Sequence, residues 1–249
     1  MTPRKGFASI FVAGLFSFGA AGSIGERSID LLIFSFSRDT IGYADMILCI
    51  SLWTDIGEPW PAGSSMEVSP GSWNVTGAGH DIWGQSDSFH FYNFERNTDV
   101  TVTAFIESWE TSHDWAKGGI MIRDSLDANS SHAMLASTGL GYVSMFWRAS
   151  TNDITRNSND DIGTKRVWLR MVKEGSKFTS YMKLEAQQEF EKFYERQVEF
   201  ANDSFFVGIG VTSHRQGYPA SLIVRNFEIL DKIWVPIPPA HLGKYLSFI

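Results

Sequence analysis

The chain has 249 residues, of which 14% are aromatic with nine Trp, a single Cys and a formal net charge of −7. That length suits one large β-sandwich with extensions, able to bury an adequate core without disulfides. The acidic balance and the lack of a Lys/Arg stripe exclude nucleic acid as a partner, because phosphate binding needs clustered cations.

Arg4 and Lys5 precede an uncharged run over residues 6–24, GFASIFVAGLFSFGAAGSI, in which Gly19 and Ala21 fit the small-residue positions of a cleavage site. This predicts a signal peptide over residues 1–21 and a secreted, extracellular protein whose mature chain has no membrane span. An uncleaved anchor is the alternative. On that export route in a eukaryote, the triplets at Asn74 (NVT), Asn129 (NSS) and Asn202 (NDS) would accept glycans. Residues 22–52 read as an N-terminal extension in which IDLLIFSF and ADMILCISLW, split by SRDTIGY, could form two extra strands. Cys49 lies in the second run and has no partner within the chain. It reads as a small buried hydrophobe, with an intermolecular disulfide as the alternative.

Residues 53–230 alternate in short strands separated by Gly, Asn, Asp and Ser. Strands are predicted near 73–76, 88–94, 100–107, 119–123, 133–137, 142–148, 167–173, 177–184, 205–212 and 220–230, a spacing that fits a sandwich or jelly roll. In VTVTAFIE, Val100, Val102, Ala104 and Ile106 fall on one face and Thr101, Thr103, Phe105 and Glu107 on the other. In GIMIRD, Ile120 and Ile122 point one way and Met121 and Arg123 the other. Residues 152–161, NDITRNSNDD, read as a polar loop. Residues 184–200, LEAQQEFEKFYERQVEF, carry helix formers yet also suit a hairpin in an all-β neighbourhood. The tail, 231–249, holds three prolines and packs in extended form or frays.

At DIGEP (55–59), GAGHDIWGQSDSFHF (77–91), DWAKGGIMIRDSLDANSSHAML (114–135), SMFWR (144–148) and GVTSH (210–214), the chain resembles the secreted "regulation of enolase"-like family of concanavalin-A-like sandwich domains. The resemblance spans residues 53–230. It implies an all-β, concanavalin-A-like jelly-roll β-sandwich of two antiparallel sheets. It also implies glycan binding by association, since such domains accompany secreted polysaccharide-active bacterial proteins. This chain departs from the family where a short Gly-turn hairpin with a Trp is expected after Tyr181, and over its first fifty residues.

The motif positions Asp81, His90, Arg123, His132, Arg148 and His214 place titratable groups in or beside strands, where they must be paired or face a groove. Arg123 with Asp81 reads as a structural ion pair. Alternatively the set lines a concave sheet face and offers hydrogen bonds to sugar hydroxyls or carboxylates. Trp83, Trp109, Trp115, Trp147 and Tyr142 are candidates for stacking on sugar rings, with Trp115 and Trp147 foremost, against core packing for each. Asp124, Asp127 and Asn129 supply oxygens that could hold Ca²⁺ or simply form a turn, and no other cofactor is implied.

Enzyme motifs are weak. Glu107 with Glu110 and Glu189 with Glu191 do not make a convincing glycosidase pair, the histidines lack metal spacing, and no GxSxG occurs. The sequence therefore points to a secreted non-catalytic carbohydrate-binding module whose partner is a polysaccharide or glycoconjugate. A structural or adhesive sandwich is the alternative, and a glycoside hydrolase-like enzyme follows behind it.

Overall fold

Alternating apolar and polar residues give each strand one face to bury, and in a computed structural model of the protein those faces meet between two sheets. The structure describes residues 28–30, 51–111 and 113–232. The strands are β1 (Ser28–Asp30), β2 (Ser51–Ile56), β3 (Ser64–Ser69), β4 (Ser72–Gly77), β5 (Phe89–Arg96), β6 (Val100–Glu110), β7 (Lys117–Arg123) and β8 (His132–Thr138). They continue with β9 (Tyr142–Arg148), β10 (Arg156–Asp161), β11 (Val167–Glu174), β12 (Lys177–Lys183), β13 (Glu191–Gln197), β14 (Phe205–Thr212) and β15 (Ala220–Asp231). Among the described residues there is no helix.

An eight-stranded sheet runs β1-β2-β5-β14-β7-β8-β9-β10 and a seven-stranded sheet runs β13-β12-β11-β6-β15-β4-β3. Every pairing is antiparallel. The expected sandwich is therefore present. Val100, Val102, Ala104 and Ile106 of β6 face Ile120 and Ile122 of β7 in the core between the sheets, all fully buried.

Two strands differ from the sequence expectation, and a third segment takes one of the two forms left open for it. Residues 156–161 form the edge strand β10 rather than a loop, paired to β9 through the backbone although the side chains of this polar segment are largely exposed. Residues 64–69 form β3 at the edge of the other sheet. The segment 184–200 resolves as a hairpin: a turn, then β13 pairing with β12, so strand pairing overrides the local helix preference. The sandwich also starts earlier than residue 53, because β1 and β2 extend the eight-stranded sheet past β5. Residues 1–21, Cys49 and residues 233–249 lie outside the described residues.

Register brings several loops to one end of the sandwich. Thr212 at the end of β14 lies opposite Lys117 at the start of β7, Val211 opposite His90 near the start of β5, and Ala220 at the start of β15 opposite Gly77 at the end of β4. Loops 57–63, 78–88, 113–116 and 213–219 consequently share a rim.

Candidate functional site

Arg123, His132 and Arg148 lie side by side on β7, β8 and β9, on the face turned away from the second sheet. Asp87, from the loop between β4 and β5, reaches all three. Arg148 donates from Nη2 to Oδ1 at 2.6 Å and from Nη1 to Oδ2 at 2.9 Å. Arg123 Nη1 donates to Oδ2 at 3.4 Å, and His132 Nδ1 stands 3.6 Å from the same oxygen. All four side chains are fully buried.

Apart from Arg148 Nε, which is buried without a hydrogen-bond partner, the guanidinium nitrogens also donate to loop oxygens. Arg148 reaches the carbonyls of Gly84, Ala128 and Ser130 and the Thr155 hydroxyl, and Arg123 reaches those of Ser125 and Asp127. The two arginines thereby staple three loops over the sheet. Burial pulls Arg123 down to about 10 and His132 down to about 4, with the Asp87 carboxylate opposing both shifts.

This corrects two expectations. Arg123 pairs with Asp87, not with Asp81. The sheet face expected to be a concave groove is covered, filled by Ile82, Phe89, Phe91, Met121, Met134 and Phe146 beneath loop 78–88. Arg123, His132 and Arg148 present no surface to a ligand from solvent, because all three side chains are fully buried. Nothing periodic in GQSDS marks Asp87 as their partner, so the sequence reading missed it.

His90 points the other way, between the sheets. Its Nδ1 lies 2.7 Å from Asp55 Oδ1 and its Nε2 2.9 Å from the Ser65 hydroxyl of the opposite sheet. A Cβ at Gly63 would sit 2.2 Å from its ring, so glycine is required there. His90 is thus a buried tie between sheets rather than a ligand contact. Trp147, 8% exposed, and Trp109 belong to the inter-sheet core, where Trp147 packs 5.8 Å from Tyr194.

Asp81, Trp115 and His214 do come together, at the rim. Asp81 Oδ1 accepts from the Lys117 ammonium, and its Oδ2 stands 3.1 Å from His214 Nδ1, in ion-pair range without a hydrogen bond. The His214 ring packs 4.3 Å from that of His113, whose Nδ1 accepts the Trp115 backbone N–H at 3.1 Å. Lys117 is buried against the Phe146 ring at 5.1 Å, and that burial lowers its pKa against the pull of Asp81. Trp115 itself is 41% exposed.

The neighbouring loops extend this rim. Trp60, 68% exposed, accepts the Gly217 N–H on its carbonyl, and a Cβ at Gly217 would lie 3.1 Å from its ring. Arg215 covers the half-exposed Tyr218 ring at 3.8 Å. Trp83 is also exposed, edge-on to Phe146. Lys117, Trp60 and Tyr218 were not singled out from the sequence. Lys117 could have been, since it shares strand parity with Arg123 on the outward face of β7.

Of the two readings left open for Asp124, Asp127 and Asn129, the contacts seen are those of turns. Asp124 accepts the N–H groups of Ala201 and Asn202 at 2.9 and 3.1 Å, Asp127 accepts the Ser125 hydroxyl at 3.0 Å, and Asn129 donates to Asn152 at 2.7 Å. The Asp124 and Asp127 carboxylates thus serve separate turns, and the Asn129 amide ties its loop to Asn152. Among the described residues no group of three or more His, Cys, Asp or Glu side chains could hold a metal ion. Of the triplet asparagines, Asn74 lies half-buried in β4, while the side-chain amides of Asn129 and Asn202 donate to Asn152 and Asp124. Among the described residues no helix is long and apolar enough to cross a membrane.

Two antiparallel sheets of this order, with a loop-bearing rim, define a concanavalin-A-like jelly-roll β-sandwich. A functionally unknown protein from Saccharomyces cerevisiae matches with a TM-score of 0.57 at 16% identity, over 74% of this chain and 97% of that one. The GH43 BlXynB protein from Bacillus licheniformis matches at 0.51 with 14% identity, over 78% of this chain but only 38% of the enzyme. Arcelin-5, a lectin-like defense protein from Phaseolus vulgaris, matches at 0.42 with 12% identity, over 68% of this chain and 91% of that one. At these identities the likeness is one of fold. No protein-family model matches the chain, and no curated protein matches it by sequence.

Proposed function

We infer that this protein is a secreted, non-catalytic carbohydrate-binding module that takes its ligand at the loop rim rather than on the covered sheet face. The observation that carries this is the exposed Trp115 ring held beside the Asp81–Lys117–His214–His113 cluster. A sugar presents an apolar C–H face and a ring of hydroxyls, so it needs a flat aromatic surface flanked by donors and acceptors. Trp115 supplies the first, and Asp81 and His214 the second. Trp60 and Tyr218, on loops locked through Gly217 and Arg215, add further aromatic surface on the same rim. Asp81 is engaged by Lys117 and His214, which suits an acceptor of hydroxyl hydrogen bonds rather than a proton donor in bond cleavage. Export rests on the apolar run 6–24 behind Arg4 and Lys5.

The test is a screen of the full chain against neutral glycans, followed by titration calorimetry with Trp115→Ala. Selective binding that weakens about tenfold in the variant, the scale of one aromatic stacking contact, supports the reading. Because the Trp115 ring lies outside both cores, circular dichroism should show an unchanged fold. Failure of the folded protein to bind any glycan, or equal affinity in the variant, would overturn it and leave the adhesive role.

A further inference from the structure

The outer face of the seven-stranded sheet carries an arrangement that the rim does not use. Register places Arg225, Phe105, Trp168 and Lys183 in one row across β15, β6, β11 and β12. Phe105 and Trp168 stack on each other, with centroids 5.0 Å apart and planes at 25°. Arg166 lies over Phe105 at 5.6 Å and Lys183 over Trp168 at 5.2 Å. Phe190, from the turn before β13, lies between Lys183 at 4.8 Å and Arg170 at 3.9 Å. This turn belongs to the charged segment by which the chain departs from the family it resembles.

Cations therefore bracket the rings in the order Arg166, Phe105, Trp168, Lys183, Phe190, Arg170. An aromatic face is electron-rich and its edge electron-poor. With the faces occupied by cations and by one another, what remains for an approaching molecule is ring edges, the Trp168 indole N–H and positive charge. Among the described residues none of Arg166, Arg170 and Lys183 forms an ion pair, whereas Arg225 is matched by Glu107 and Lys192 by Glu195. Glu185 and Glu189 are exposed on the adjoining turn and form no ion pair with the three cations. In a chain of net charge −7, this is a face whose charge is left for an outside anion.

We propose that this face binds an acidic polysaccharide, its carboxylates or sulfates received by Arg166, Arg170 and Lys183. Single-stranded nucleic acid would need free ring faces for base stacking, and those are taken. A repeating anion on an extended chain suits a flat row: the strands from β15 to β12 span roughly 14 Å at about 4.8 Å per step. The proposal is independent of the rim.

The full chain should be tested by affinity electrophoresis in polygalacturonate, dextran sulfate and neutral xylan, with a single-stranded oligothymidylate as competitor. Retention by polygalacturonate or dextran sulfate, weakened by salt, is expected, and which of the two retains it tells carboxylate from sulfate. Arg166→Glu should weaken retention about fivefold or more, the scale of one surface charge contact. Its guanidinium makes no hydrogen bond among the described residues, so folding is not at stake. Lys183→Gln should do the same, although it also loses its bonds to the Ala186 and Gln188 carbonyls. Trp115→Ala should leave retention unchanged. Retention by neither polyanion, an unaffected Arg166→Glu protein, or oligothymidylate binding as tightly as the polysaccharide would overturn the proposal. Polyanion retention without neutral-glycan binding would instead sink the rim reading alone.

Discussion

Acid should weaken this fold through one residue, His132, and the size of the effect follows from its surroundings. Its Nδ1 approaches the Ser130 carbonyl at 3.4 Å, an acceptor, so that nitrogen carries the proton of the neutral ring. Its Nε2 is buried without a partner. Charging the ring would require a proton on Nε2 with no acceptor, in a site already holding two arginines against one carboxylate. Burial first, and then Arg148 and Arg123, accordingly hold the folded pKa at about 4, against 6.5 for the free side chain, with Asp87 opposing them. Between these values the unfolded chain binds a proton that the folded protein does not, so stability falls as pH falls. At 1.36 kcal/mol per unit the full loss by about pH 4 is roughly 3 kcal/mol, of which about 2 kcal/mol is gone by pH 5.

The assay is urea unfolding at about pH 7.5 and about pH 5 for the wild-type protein and His132→Gln. The wild type should lose about 2 kcal/mol more than the variant over that interval. Every other titratable side chain is common to both proteins, so the comparison isolates His132. Equal losses in the two proteins would refute the burial argument, and a larger loss in the variant would reverse it.

Two further outcomes follow from the same loops. Arg148→Met removes the bidentate partner of Asp87 and should cost about 3–5 kcal/mol in chemical denaturation, as breaking a buried pair does; a cost below about 1 kcal/mol would contradict the staple. Asp124→Ala should cost about 1–3 kcal/mol by freeing the Ala201 and Asn202 N–H groups, equally with and without calcium. Chelation should leave the wild-type Tm unchanged, and a Tm that rises with calcium would restore the metal reading.

The inter-sheet core was legible because a strand has period two: Val100, Val102, Ala104 and Ile106 announce their face in the sequence itself. The same rule set Arg123 on the opposite face correctly. It could not say whether that face was open, because the answer lies in loop 78–88, whose Asp87 contacts are 36 and 61 residues away in sequence. β10 was unreadable, and β13 legible only as one of two alternatives, for a different reason. Edge strands with largely exposed side chains leave no alternating trace, and only the backbone pairing to β9 and β12 defines them. Of the site residues, Asp81 and His214 were read in the polar motif set and Trp115 in the separate aromatic set. Lys117 and His113, which organise them, required the register between β7 and β14 and the loop contact between two histidine rings.

The covered sheet face decides where any ligand chemistry can lie. Two buried guanidinium groups have their donors directed to Asp87 and to six loop oxygens, so opening that face would expose Phe89, Phe91, Met134 and Phe146 and leave charges unpaired in the low-dielectric interior. Both costs fall on the open form alone, which keeps the face shut. Both proposed binding surfaces accordingly lie elsewhere: the rim around Trp115 and the outer row of the second sheet around Trp168. They are built from different residues, one from loops beside the eight-stranded sheet and the other from β6, β11 and β12. If both proposals hold, a chain bearing both neutral and acidic sugars would meet each surface in its own terms. Engagement of one would raise the effective concentration at the other, so that two individually weak contacts give retention beyond either alone.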